Sequence, residues 1–240
     1  MPTFNEAGHI EDLIHATVNA IRHTGIQKIE VIVVDDNSPD KTWEIASNTT
    51  CEAADIRVIR RMKDHGLTAS LKEGISSASH DIIIWFDCDF THPPECIPQL
   101  LFMISQGFEV VVNSRYIIGG GEDRRGKGSF IQLILSKSLN WGIRFFLYPT
   151  FSDYTSGFIA VQREVLKAIP LRGDYGEYFI DFIFRVLSKK YRVCELPYMA
   201  MPRRSGESKT GSNILHYLKR GKKYIYTVIR LRFEKLFGLL

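Results

Sequence analysis

The feature that most constrains this chain is a repeated alternation of short β-branched runs with helix-length segments, in which several runs end in acidic or polar residues. Ile29 to Val34 is the first such run, apolar and β-branched as a buried strand requires, and Asp35-Asp36-Asn37-Ser38-Pro39 closes it. Ahead of it Ile10, Leu13, Ile14, Val18 and Ile21 recur at helical spacing, and His23-Thr24-Gly25 ends the helix. Beyond it the pattern predicts a helix over 41–53, a strand over 56–59, a helix over 67–78 and a strand over 81–86. A proline-opened helix over 94–106 and a strand over 110–113 follow. Strands and helices alternating at these lengths predict an α/β fold, a mostly parallel central sheet with helices on both faces. Such sheets bind ligands beyond the carboxyl ends of their strands. Asp35-Asp36, Asp87-x-Asp89 and Arg115 all fall at such ends, so three polar clusters are expected to meet on one edge.

Two stretches depart from this rhythm. Pro2-Thr3-Phe4-Asn5-Glu6 reads as a loop leaving a strand, yet only Met1 precedes it, so the first strand is expected to be missing or truncated. After Arg115, Gly119-Gly120-Gly121 and the charged run Glu122 to Lys127 predict a loop, and a helix over 130–146 is expected to form an acceptor-side lid. A strand near 157–161, a helix over 177–187, a strand near 192–196 and a polar loop over 202–212 complete the domain.

Composition narrows the class. With 240 residues, 45% hydrophobic and 24% charged, the chain is long enough to bury a sizeable core. Cys51, Cys88, Cys96 and Cys194 are too scattered for a zinc site or a disulfide framework and read as free thiols of a reducing compartment. No apolar run approaches the roughly 20 residues that a transmembrane helix needs, and no signal peptide is recognised, which leaves the sequon Asn48-Thr49-Thr50 as chance. The net charge of +4 is uneven: residues 213–240 hold seven Lys/Arg and one Glu, +6, leaving −2 for the rest. From Ile214 apolar residues recur at helical spacing with Lys219, Arg220, Lys222, Lys223 and Arg230 between them. This basic amphipathic helix suits a membrane interface; a helix packed on the domain with a solvated outer face is the alternative.

Other chemistries fit less well. Gly121-x-x-x-x-Gly126-Lys127 resembles a phosphate-binding loop but has Gly128 where Ser or Thr is required. The dinucleotide fingerprint G-x-G-x-x-G is absent after the first strand, and a basic tail alone gives only non-specific attraction to nucleic acid, so no nucleic-acid partner is expected. Two aspartates one residue apart at the end of a buried strand, by contrast, suit a divalent cation that bridges diphosphate oxygens. Asp89 is expected as the direct ligand and Asp87 as its helper.

The strings Pro2-Thr3-Phe4-Asn5-Glu6, Val34-Asp35-Asp36-Asn37-Ser38-Pro39-Asp40 and Asp87-Cys88-Asp89-Phe90-Thr91-His92-Pro93-Pro94-Glu95 together resemble the family 2 glycosyltransferases, which have the GT-A nucleotide-sugar-binding fold. Asn113-Ser114-Arg115-Tyr116, Thr155-Ser156-Gly157-Phe158 and Arg203-Arg204-Ser205-Gly206-Glu207-Ser208-Lys209 are similar to the dolichol-phosphate mannose synthases and their polyprenyl-phosphate relatives. The resemblance implies a metal-dependent, inverting transfer of mannose from GDP-mannose to a dolichyl or polyprenyl phosphate, with UDP-glucose or another nucleotide-hexose as the alternative donor. It implies donor contacts from Pro2, Phe4, Glu6, Asp36, Asp87, Asp89, Arg203 and Ser208, and Mg²⁺ or Mn²⁺ on Asp87 and Asp89. Thr91 stands at the third ligand position, where the family usually has Gln. Asp89 and Arg115 would be the catalytic pair, with Arg115, Ser136 and Arg125 gripping the acceptor phosphate. Arg125 enters because Gln132 replaces a usual Arg, with Arg124 and Lys127 as other substitutes. Glu177 and Asp181, one helical turn apart, either face the site or lie on a solvated face, and Tyr116, Trp141, Phe145 and Phe146 either meet a lipid chain or pack internally. The expected organisation is a catalytic domain over 1–212 and a membrane-interface helix over 213–240. The expected location is the cytoplasmic face of a membrane, peripherally bound through the tail, self-association or a small membrane-anchoring subunit.

Overall fold

In the computed structural model the residues described are 1–123, 130–203 and 214–240, the side chains of 130–135 and 214–220 excepted. In chain order they form β1 (Pro2–Thr3), α1 (Ile10–Arg22), β2 (Glu30–Asp35), α2 (Thr42–Asn48), β3 (Asp55–Arg60), α3 (Leu67–Ser77) and β4 (Ile82–Trp85). A 3₁₀ turn at Pro94–Cys96 leads into α4 (Ile97–Ser105), then β5 (Val110–Ser114), β6 (Gly121–Glu122) and α5 (Phe130–Phe146). β7 (Ile159–Gln162), α6 (Arg163–Ala168), α7 (Glu177–Ser188), β8 (Val193–Pro197), β9 (Met199–Ala200) and α8 (Ile214–Leu236) complete the order.

The strands form a parallel sheet in the order β1-β2-β3, a mixed sheet in the order β4-β7-β5-β8 and a small pair β6-β9. Most of these pairings are parallel, as the sequence leads one to expect, and the exception is β7. β7 lies antiparallel between β4 and β5, pairing Trp85 with Ile159 and Val112 with Ile159. Between β5 and β7 the chain passes through β6 and α5 and re-enters the sheet running back between its two neighbours. β1 is a strand of two residues. Pro2 and Thr3 pair in parallel with Val34 and Asp35, and the Met1 nitrogen donates to the Ile32 carbonyl at 2.9 Å.

The periodicity of α1 has a packing cause. Ile10, Leu13, Ile14 and Val18 are buried, and Ile10, Ile14 and Val18 form one cluster with Val31 and Val33 of β2 and Ala46 of α2. A second cluster joins Leu13 to α4 and the inner residues Phe86, Phe158 and Tyr198. The largest packs β4, β5 and β7 against the nearly all-buried α7. Helix α8 belongs to that core, because Val228 and Leu231 are buried within it. Around them Arg230 pairs with Asp181, Arg185 bridges Asp181 and Glu234, and Lys223 reaches Asp174 at 2.8 Å. The outer side of α8 mixes apolar and basic residues: Ile225, Tyr226, Ile229, Phe233 and Leu236 are exposed, with Phe237 just beyond, and so are Lys222, Lys223, Arg232 and Lys235; Trp141, Phe145 and Phe146 of α5 are exposed too. The tail is thus packed on the domain, and its outer face carries apolar side chains among the basic ones.

Candidate active site

The acidic loop begins where β4 ends. Phe86 and Cys88 turn into the core, so alternation presents Asp87 to solvent and returns the next acid inward. Phe90 completes the turn with φ 63°, a left-handed conformation that a bulky residue rarely adopts. Its buried ring lies edge-on to His9 at 6.0 Å, and that packing holds the strained turn. His9 Nε2 donates to the Cys88 carbonyl at 2.7 Å and lies 2.9 Å from the Glu6 carboxylate. The loop after β1 is thereby tied to the acidic loop after β4.

Within the loop the two aspartates differ. Thr91 donates both its hydroxyl (2.6 Å) and its N–H (3.0 Å) to Asp89 Oδ1, while Arg203 reaches Oδ2 at 2.6 Å. Burial alone would raise the Asp89 carboxyl, but Arg203 and the Thr91 hydrogen bonds outweigh it and hold it below the usual carboxylate range. Asp87 is open to solvent along its edge, yet protein crowds it; that desolvation, with Asp89 adding to it, pushes its carboxyl up against the pull of His92, Arg203 and Arg115. His92, buried, accepts the Asp87 N–H on Nδ1 at 2.9 Å and stacks on Phe158 at 5.0 Å. Burial favours its neutral form, the form able to accept that bond.

Arg115 is placed by β5 and bound on three sides. Its Nε and Nη2 meet Asp153 at 2.8 and 2.9 Å, Nη2 also meets Thr155 at 2.9 Å, and Nη1 meets Glu122 at 3.4 Å. Asp153 has no exposed surface; desolvation would raise it, but the Arg115 charge and hydrogen bonds hold its carboxyl below the ordinary range. The guanidinium lies 5.1 Å from the Tyr116 ring, whose hydroxyl is 3.5 Å from Ser136. This line joins β5 to α5.

Of the remaining sequence candidates, Pro2 is in β1, Phe4 is 41% exposed and Glu6 is buried. Asp36 sits at the end of β2, where Arg61 (2.5 Å), Ser70 (2.8 Å) and the Gly66 N–H (2.6 Å) occupy its carboxylate. Asp35 is a fold residue, accepting from Thr3 and Ser38. Arg125 and Ser208, with Arg124, Lys127 and the loop around Ser208, lie outside the described residues. Glu177 and Asp181 correct the solvated-face alternative: each is buried, Asp181 is taken by Arg185 and Arg230, and Glu177 accepts from the Asp174 N–H. Sequence reasoning missed His9, His92 and Asp153. The last stood two residues before the quoted string Thr155-Ser156-Gly157-Phe158, and an acid so near an arginine-bearing strand end was the available signal.

The family model for Glycosyl transferase family 2 matches residues 1–169. The chain belongs to this family. This glycosyltransferase is 32% identical over 233 residues to a dolichol-phosphate mannosyltransferase of Pyrococcus furiosus, covering 96% of this chain and 62% of that protein. It is 31% identical over 222 residues to the polyprenol monophosphomannose synthase of Mycolicibacterium smegmatis, covering 89% of this chain and 81% of that one. The chain therefore spans somewhat under two thirds of the Pyrococcus relative's length. Its fold is similar to that of glucosyl-3-phosphoglycerate synthase from Mycobacterium tuberculosis, solved with Mn²⁺, UDP and phosphoglyceric acid, at a TM-score of 0.71, 19% identity and coverage of 96% and 76%. The fold is GT-A, an α/β architecture with mixed sheets.

The glycosyltransferase's acidic loop fits a divalent cation of the hard, oxygen-seeking kind. Asp89 already draws a cation, Arg203, to 2.6 Å, and Asp87 is a second carboxylate open to solvent beside it. Among the described residues no group of three His, Cys, Asp or Glu side chains is arranged for a metal. Mg²⁺ favours one or two carboxylates completed by substrate phosphates, so this donor set suits a cation that arrives with a diphosphate.

Proposed function

We propose that this glycosyltransferase moves mannose from GDP-mannose to a dolichyl or polyprenyl phosphate, inverting the anomeric carbon. The names of the relatives at about one-third identity support that pair of substrates. The observation that carries the reading is the paired Asp89 and Arg203 beside open Asp87, a carboxylate and a guanidinium held ready to exchange partners when a diphosphate enters. Asp87 and Asp89, with Thr91 beside them, would hold Mg²⁺ or Mn²⁺, which neutralises charge on the leaving diphosphate when bound. Arg203, released from Asp89, and Ser208 take the donor phosphates; Pro2, Phe4, Glu6 and Asp36 form the nucleoside side.

An oxygen of the lipid phosphate forms the new bond to the anomeric carbon while the bond to the donor phosphate breaks, and the nucleoside diphosphate leaves with the electron pair. The nucleophile is already anionic at neutral pH, so no side chain has to remove a proton. The protein's task is positioning and electrostatics. Arg115 serves the acceptor through Nη1, whose 3.4 Å contact with Glu122 is its longest and the one most readily exchanged for a phosphate. Ser136 and Arg125 complete that grip.

The exposed apolar faces of α5 and α8 support a peripheral position on the cytoplasmic face of a membrane, where a lipid phosphate is met, with self-association or a small anchoring subunit as aids. Among the described residues no helix is long and apolar enough to cross a membrane. The test is incubation with radiolabelled GDP-mannose or UDP-glucose, Mg²⁺ and a short polyprenyl phosphate, followed by lipid extraction. Label should enter the lipid from GDP-mannose. Label from UDP-glucose alone would change the donor, and no label from either would overturn the reading.

A further inference from the structure

At the exit of β8 the chain places a tyrosine whose ring is fixed and whose hydroxyl is left without a partner. β5 and β8 run parallel, with Asn113 opposite Leu196 and Ser114 opposite Pro197. The Tyr198 N–H carries this ladder one step further by donating to the Ser114 carbonyl at 3.2 Å, which brings Tyr198 level with Arg115 at the carboxyl end of the sheet. Its own carbonyl accepts the Gly121 N–H at 3.0 Å. The ring stands edge-on to His92 at 5.7 Å and to Phe158 at 5.6 Å, and His92 is the residue that accepts the Asp87 N–H. The contacts that hold the acidic loop therefore also hold this ring.

The hydroxyl has no hydrogen-bond partner among the described residues, although Tyr198 is only 3% exposed. A buried hydroxyl that has left water without a replacement is a cost to the fold. Asn113, wholly buried and on the same sheet face by the period of two, does not relieve it, because both ends of its amide are unbonded as well. A hydroxyl placed for the fold alone would be paired internally. Burial pushes it above its ordinary pKa against the pull of Arg115, with Asp153, Asp87 and Glu122 adding to the rise, so it stays a neutral donor. Those four charges place it between the residues assigned to the acceptor phosphate and the acidic loop.

We propose that the Tyr198 hydroxyl is a further donor to the acceptor phosphate, completing with Arg115 a grip that forms when the phosphate enters. The proposal rests on the reading of Arg115 as the residue that holds this phosphate. Glu122, paired with Ala200 across β6 and β9, occupies Arg115 Nη1 at 3.4 Å. A phosphate that takes the place of Glu122 brings its anionic oxygens to Nη1 and to the phenol O–H together. Tyr198 donates to an oxygen other than the one that attacks, no proton is transferred, and the nucleophile keeps its charge. Of the two anions in the reaction the acceptor is favoured, because Arg115 is the cation that acts most strongly on the hydroxyl.

Tyr198→Phe removes the hydroxyl and keeps the ring. In the lipid-labelling assay its kcat/KM for the short polyprenyl phosphate should fall about tenfold or more, the range for losing a hydrogen bond to a charged group, with KM for GDP-mannose unchanged. The urea midpoint should hold or rise, since phenylalanine buries no unbonded group. Parent-like kinetics toward the lipid phosphate would overturn the proposal. So would a lowered urea midpoint with both substrates affected alike, which marks a role in the fold, and so would a loss confined to GDP-mannose, which moves the hydroxyl to the donor diphosphate. A second measurement does not depend on turnover: titration of parent and variant with the polyprenyl phosphate alone, followed by phosphorus NMR, should give the variant a Kd about tenfold higher. Equal Kd values would overturn the proposal. If the parent labels no lipid from either donor, the reaction reading fails, and the titration still decides for or against the hydroxyl.

Discussion

At Asp89 two neighbouring residues decide what the carboxylate can do. Thr91 fixes one carboxylate oxygen and Arg203 neutralises the other, which keeps the group ionised although it is buried. Asp89→Ala should lower lipid-linked sugar formation by about 100-fold or more while circular dichroism stays that of the parent, since a lost metal contact costs several kcal/mol at the transition state. Wild-type rates would remove the metal role. Arg115 calls for a different readout because Asp153, wholly buried, depends on it. Arg115→Ala should cost about 3 kcal/mol or more in urea unfolding, as breaking a buried pair does. The Asp153 carboxyl is depressed in the fold, so its stabilisation is present above the unfolded value of about 4 and is lost as pH falls through the lower folded value. Asp153→Asn should therefore show a flatter loss of stability below about pH 4 than the parent, measured by urea midpoints across the acid range.

Helix α8 shows why amphipathicity alone does not say what a face meets. Its buried side is both apolar and ionic: Val228 and Leu231 enter the core beside Arg230, Asp181, Arg185 and Glu234. Arg230 and Glu234, which a helical wheel assigns to a lipid headgroup or to water, instead pair with Asp181 and Arg185 of α7. Leu231→Ala should cost about 3 kcal/mol, within the range for buried leucine truncation, seen as a lower denaturant midpoint. Phe233→Ser combined with Phe237→Ser changes only exposed positions and should leave stability within about 0.5 kcal/mol while reducing flotation with anionic liposomes. Unchanged flotation would separate the apolar face from any membrane role.

Across the molecule, the acidic loop is assembled from distant segments: the loop after β1 through His9, the end of β4, and the 201–203 strand exit, where the Met201 N–H bonds the Thr91 carbonyl at 3.1 Å. A site made this way is stabilised by whatever bridges its parts. In scanning fluorimetry GDP with Mg²⁺ should raise the melting temperature more than the sum of GDP and Mg²⁺ added singly. Saturation near 100 times Kd corresponds to about 2.7 kcal/mol. Chelation by EDTA should abolish the added shift. A full shift from GDP alone in EDTA would argue against a shared cation.

The periodic segments were legible in the sequence because helix and strand spacing is local: Ile10 to Val18 marks one face of α1, and Ile29 to Val34 marks a run buried on both sides. The acidic loop, the arginine strand end and the family were legible for the same reason, each being a contiguous string. What tertiary structure alone decided is pairing between strings. Arg115 reads as a phosphate-gripping cation in sequence and is bound to Asp153 in the fold; Asp181 reads as a site or surface acid and is held by Arg185 and Arg230; β7 reads only as a strand, and its antiparallel direction comes from the fold. Spacing along a chain sets which face a side chain occupies, but the partner across a buried contact comes from another segment, and burial makes that partner, rather than water, set the charge it keeps.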